Sequence, residues 1–144
     1  MRPRALFLAV VLLVSVAACG SDPDIETNGS APAPTLPAGF DLSDETFVPL
    51  EAGAAEVDAH DNTFVAPYVE IHVGDTLTFG NTGHNEHNVI PVIDGSFTPI
   101  ETAAFEPGTT REVTFDQAGT FPYYCSLHGT TTKGMVGAVR VVEP

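Results

Sequence analysis

Val69-Glu70-Ile71-His72-Val73-Gly74-Asp75-Thr76-Leu77-Thr78-Phe79 is the stretch that decides the fold. Val69, Ile71 and Val73 alternate with Glu70 and His72, the period-two pattern of a half-buried strand. Gly74-Asp75 is a turn signal, and Leu77 and Phe79 resume the alternation beyond it. The same grammar recurs downstream. Val89 to Ile93 is a short apolar run, and Val113 and Phe115 alternate with polar residues before Asp116-Gln117-Ala118-Gly119 turns the chain. Phe121 to Cys125 is rich in aromatics, and Met135, Gly137, Val139 and Val141 share one parity while Arg140 takes the other. After the first eighteen residues no segment sustains a 3.6-residue apolar period. Short strands separated by Gly, Pro and Asp turns predict an all-β protein, a Greek-key β-sandwich. Roughly a hundred residues suffice for a core that needs no disulfide.

Upstream of this body the composition changes twice. Arg2 and Arg4 precede an apolar run from Ala5 to Ala18, too short for a permanent membrane span. The run ends in Val16-Ala17-Ala18-Cys19, which resembles the bacterial lipobox, so residues 1–18 read as a lipoprotein signal peptide with Cys19 as the lipidated residue. An ordinary cleaved leader or an uncleaved anchor, with a cysteine there by chance, is the alternative. Residues 19–46 are poor in core formers, and Ala31-Pro32-Ala33-Pro34-Thr35-Leu36-Pro37 favours extended, polyproline-like structure. They are expected to be a disordered tether carrying the domain at 47–144.

Charge bounds the partners. Lys and Arg number 5 against 19 Asp and Glu, a net charge of −14. Losing Arg2 and Arg4 with the leader makes the remainder more acidic still. Such a surface is repelled by nucleic acid and by anionic lipid, so no nucleic-acid partner is expected. It suits a basic protein partner, or serves solubility alone.

The chemistry lies in two segments, Gly83-His84-Asn85-Glu86-His87-Asn88-Val89 and Tyr124-Cys125-Ser126-Leu127-His128. The chain has 2 cysteines. If Cys19 is consumed by lipid, Cys125 is a lone thiol in an exported protein, which calls for a metal, a catalytic role or an external disulfide. Thiolate and imidazole suit copper or zinc. Cys125 and His128, three apart, can be aimed at one point by a tight loop, His87 arrives from a distant strand, and Met135 follows on the next strand. Two imidazoles, a thiolate and a weak thioether are the ligand set of a blue-copper electron-transfer site.

At these residues the sequence resembles the cupredoxins, of the plastocyanin, pseudoazurin and halocyanin type, from about Val57 to Val142. The matching pieces are Val73-Gly74-Asp75-Thr76, His87-Asn88-Val89, Pro107-Gly108, Ala118-Gly119-Thr120-Phe121, Tyr124-Cys125-Ser126-Leu127-His128 and Gly134-Met135-Val136-Gly137. The resemblance implies one copper ion held near one end of the sandwich by His87, Cys125, His128 and Met135, with His128 the more exposed ligand. It also implies that Asn88 ties the two ligand loops together through Ser126, and that the Asn88 backbone N–H donates to the Cys125 sulfur. One departure stands out. Six residues separate His128 from Met135, where the family usually has two to four. This Thr- and Gly-rich stretch is expected to be mobile, and a core role for Met135 stays open.

His84 is expected to face solvent, His72 to point outward from its strand, and His60 has no evident partner. The acids show no pair spaced for general acid–base work, and an enzyme is not expected. The resulting expectation is a monomeric one-electron carrier, anchored by lipid at the outer face of a membrane and exchanging electrons with redox partners. A copper chaperone or storage module is the alternative.

Overall fold

The structure is a computed structural model that describes residues 33–144. The expected leader, Cys19 and the expected tether up to residue 32 lie outside the described residues.

Among the described residues, nine strands form two sheets. They are β1 (Val48–Pro49), β2 (Glu56–His60), β3 (Thr63–Val65), β4 (Tyr68–His72), β5 (Thr76–Asn81), β6 (Ile90–Pro91), β7 (Thr110–Thr114), β8 (Gly119–Thr130) and β9 (Lys133–Val142). One sheet has the order β1-β4-β9-β8-β6 and the other β3-β2-β5-β7. β4 runs parallel to β9 and β2 parallel to β5, so each sheet is mixed. The chain therefore crosses between sheets instead of running as a meander, as in a Greek-key sandwich.

The alternation that marks the strands sets their faces. Val69, Ile71, Leu77, Phe79 and Val113 are buried, while Glu70 and Thr78 on the same strands are less so and His72 is exposed. These inward rows join Phe121, Tyr123 and Cys125 of β8 and Met135, Val139 and Val141 of β9 in one core cluster. Full burial of a side chain such as Leu77 or Phe79 contributes roughly 1.5–3 kcal/mol. On the other parity of β9, Arg140 lies 3.8 Å over the Phe47 ring and 3.5 Å from Glu70.

The described part of the expected tether lies against this body. Phe40 and Leu42 share a cleft with Tyr68, Thr132 and Val136, and a Cβ on Gly119 would stand 2.8 Å from Pro34 Cδ. Residues 33–46 contain turns but no strand. Their few large apolar side chains suffice to dock the segment.

Tyr123 sits at the centre of the core. Its ring meets Phe64 and Phe79 edge-on at 4.9 and 5.3 Å, and its hydroxyl donates to Pro67 O at 2.9 Å. Burial pushes this phenol far above its ordinary value of 10.0. The sign follows: the neutral phenol is favoured in the fold, so its contribution is complete below pH ~10 and is lost as the unfolded chain ionises above it. Urea midpoints should hold from pH 7 to 9 and fall above about 10. Tyr123→Phe should remove up to about 1.4 kcal/mol per pH unit of that alkaline slope. At neutral pH it should cost only about 0.5–1.5 kcal/mol, because Pro67 O still accepts from Ala138 N–H at 2.8 Å.

Candidate metal centre

β8 delivers the thiol. Phe121, Tyr123 and Cys125 occupy one face of the strand, so the aromatic row that fills the core ends in sulfur, and Cys125 is fully buried. Beyond it the β8–β9 pairing breaks. Tyr124 pairs with Val136 and Gly129 with Gly134, so the four residues from Cys125 to His128 oppose Met135 alone. This wide bulge carries both downstream donors.

The long gap before Met135 is thereby explained. Residues 129–134 close a β-hairpin, with Gly129 paired to Gly134 and Thr130 to Lys133, rather than forming the expected mobile loop. The β-branched threonines favour extended backbone, and the added residues pair among themselves. Met135 returns buried, directly opposite the ligand bulge.

His87 comes from the loop between β5 and β6 and is fully buried. The loop is braced by Asn81, the last residue of β5. Asn81 Nδ2 donates to the carbonyls of Asn85 and Phe105 at 3.0 and 2.9 Å, and its Oδ1 accepts from Gly83 N–H at 3.2 Å. Sequence reading missed Asn81. A polar residue ending an apolar strand just before Thr82-Gly83 was the available signal.

Three donor atoms converge. His87 Nδ1 and His128 Nδ1 are 3.2 Å apart, and Cys125 Sγ lies 3.7 and 3.6 Å from them. A divalent first-row ion with bonds of about 2.0–2.1 Å to nitrogen and about 2.3 Å to sulfur holds such atoms roughly 3.2–3.8 Å apart. The spacing fits a single ion bound to all three. His87 and Cys125 are buried and His128 is half-buried. Burial, and then the neighbouring His128, hold His87 below its ordinary pKa, with Asp61 opposing. The imidazole is therefore kept neutral, the form that ligates. Its remote Nε2 is buried and has no hydrogen-bond partner among the described residues.

Asn88 links the two ligand segments. Its Nδ2 donates to Ser126 Oγ at 2.8 Å and Thr102 Oγ1 at 3.2 Å, and its Oδ1 accepts from Ser126 N–H at 2.8 Å. The expected donation from the Asn88 backbone N–H to sulfur is not among the hydrogen bonds of the described residues. Sγ turns instead toward the two ring nitrogens. Asn88→Ala should cost about 1–3 kcal/mol, since it strips partners from groups that are partly buried. It should also weaken metal binding about 10–100-fold, as loss of outer-shell support does. Thermal melts and a competitive chelator titration check the two effects separately. Of the other histidines, His84 is exposed and His72 lies outward on β4.

The comparisons agree with this geometry. Chloroplast plastocyanin of Pisum sativum is 38% identical over 87 residues, covering 54% of this chain and 51% of that one. The chain thus spans about half of that relative, but the same share of it spans 86% of Vicia faba plastocyanin at 34% identity. Amicyanin of Paracoccus denitrificans is 31% identical over 103 residues, 60% of this chain and 74% of that one. A solved amicyanin variant in its reduced state superposes with a TM-score of 0.53 at 29% identity, covering 62% of this chain and 83% of that one. The profile of copper binding proteins of the plastocyanin/azurin family matches residues 51–142. With that profile spanning residues 51–142 and two imidazoles and a cysteine sulfur placed to share one metal ion, the chain belongs to the copper-binding plastocyanin/azurin family, the cupredoxins.

Proposed function

We propose that this chain is a blue-copper electron carrier, reversibly passing single electrons between redox proteins. The observation that carries the reading is the convergence of one cysteine sulfur and two imidazole nitrogens at the end of the sandwich. Bound copper would supply the one-electron Cu(I)/Cu(II) couple. The chain's own residues do the rest. Cys125 and His87 hold their donors inside the core, where neighbours leave little room to rearrange. Asn88 and Asn81 fix the two segments that carry them. A site that cannot relax far lowers the reorganisation accompanying each change of charge. Met135, buried opposite the bulge, would offer the ion a fourth, weak thioether donor.

His128 is the proposed electron exit, being the donor nearest solvent. Leu127 beside it is 49% exposed, an apolar contact for a partner at the same end. The acidic chain favours a partner with a basic docking face, met by salt-dependent steering. The lipobox-like Cys19 supports anchoring at the outer face of a membrane, with the domain acting as a monomer.

The copper-loaded protein should show an intense thiolate-to-Cu(II) absorption toward the red end of the visible spectrum. Voltammetry should give one reversible one-electron wave. A colourless Cu(II) form, or copper handed to a chelator on mixing, would favour a copper-delivery role instead.

A further inference from the structure

Near His87 lies a second group of donors that the copper centre does not use. His60 ends β2 and Asp61 begins the turn to β3, and the loop leading to His87 carries His84. One Asp61 carboxylate oxygen is 3.7 Å from His60 Nε2, and the other is 3.7 Å from His84 Nδ1. The side chains are 51%, 55% and 92% exposed respectively.

Their backbones are fixed although their side chains are not. Thr82 N–H and Gly83 N–H both donate to Ala59 O, at 3.0 and 3.2 Å. Gly83 rests on the turn so closely that a Cβ would stand 2.5 Å from Asp61 N. Asp61 has φ +50, a left-handed conformation that Asp tolerates better than most residues. Two segments distant in sequence are thereby locked together, with two imidazoles and a carboxylate projecting from the junction.

We propose that His60, Asp61 and His84 form a second, weak and exchangeable site for a borderline divalent cation, Cu(II) foremost. Two imidazoles and a carboxylate suit Cu(II) and Zn(II). Each imidazole faces a different oxygen of Asp61, so sharing one ion requires the exposed rings to rotate toward each other. The site stands on these residues alone. Its use as a landing place for copper bound for the neighbouring centre rests on the function proposed above. The acidic chain raises the local cation concentration.

The test uses the intact chain with its first copper equivalent bound. A second equivalent of Cu(II) should add a separate, nitrogen-coordinated EPR signal and leave the visible band unchanged. His60→Ala and His84→Ala should each weaken that second equivalent by about 10-fold or more, again without moving the visible band. Asp61→Asn, which keeps a residue suited to the turn, should weaken it less. In Cys125→Ser the same signal should persist, which separates this site from the fate of the copper centre. No second equivalent, or one indifferent to both histidine substitutions, overturns the proposal.

Discussion

Cys125→Ser should abolish the red-end absorption of the copper-loaded protein and most of the stabilisation that copper confers. Serine is close in shape, so the core that ends the Phe121, Tyr123, Cys125 row is little disturbed. What changes is the donor: a hydroxyl stays protonated near neutral pH and is a hard, weak ligand, whereas thiolate is the soft partner copper favours. The charge-transfer band needs sulfur and cannot survive its loss. Stability gives a second readout. Copper at about a hundredfold over its dissociation constant adds about 2.7 kcal/mol to the wild-type fold, or roughly 10–20 °C in Tm for a domain of this size. In the variant this shift should shrink to a few degrees, with the metal-free melting points nearly equal. A variant that kept the full copper-induced shift would show that the two imidazoles bind without sulfur, and the assignment of this centre would be wrong.

The strands and the three donors were legible in sequence because each leaves a local mark. Val69, Ile71, Leu77 and Phe79 alternate, and a buried face must alternate in any half-covered sheet. Cys125 and His128 lie within one loop, and no side chains other than Cys, His and Met offer soft donors at that density. What failed to show was set by partners distant in sequence. Nothing local says that β4 lies parallel to β9 or β2 to β5. Residues 129–134 look mobile when read as Thr and Gly alone, but they pair with one another once the bulge at Cys125–His128 fixes where the hairpin starts. Asn81 looks like a strand end, and its role depends on carbonyls of Asn85 and Phe105 that only folding brings near. His60 has no evident partner in the sequence, and only the Gly83 contact brings its neighbour Asp61 to His84.

Gly137→Ala should be among the most damaging substitutions in the protein, although it adds one methyl group. Gly137 on β9 pairs with Tyr123 on β8, and the tyrosine ring lies directly across the glycine. A Cβ there lands on Tyr123 Cζ and Oη and on Pro67 O, far inside van der Waals contact. Neither neighbour can yield cheaply. Pro67 O is held by Ala138 N–H, and the Tyr123 ring is held between Phe64 and Phe79 of the opposite sheet. Overpacking costs about 1–3 kcal/mol, and losing the Tyr123 hydroxyl bond adds about 1. That is a large share of the 5–15 kcal/mol typical of a folded domain. Urea midpoints should drop accordingly. Because Tyr123 precedes Cys125 by two residues on the same face, displacing its ring should also move the sulfur and shift the visible band of the copper-loaded form. Tyr123→Leu in the same chain should recover part of the stability, since the pair is in contact and its effects cannot add. A Gly137→Ala variant within about 0.5 kcal/mol of wild type, with an unshifted band, would mean that the tyrosine ring has somewhere else to go.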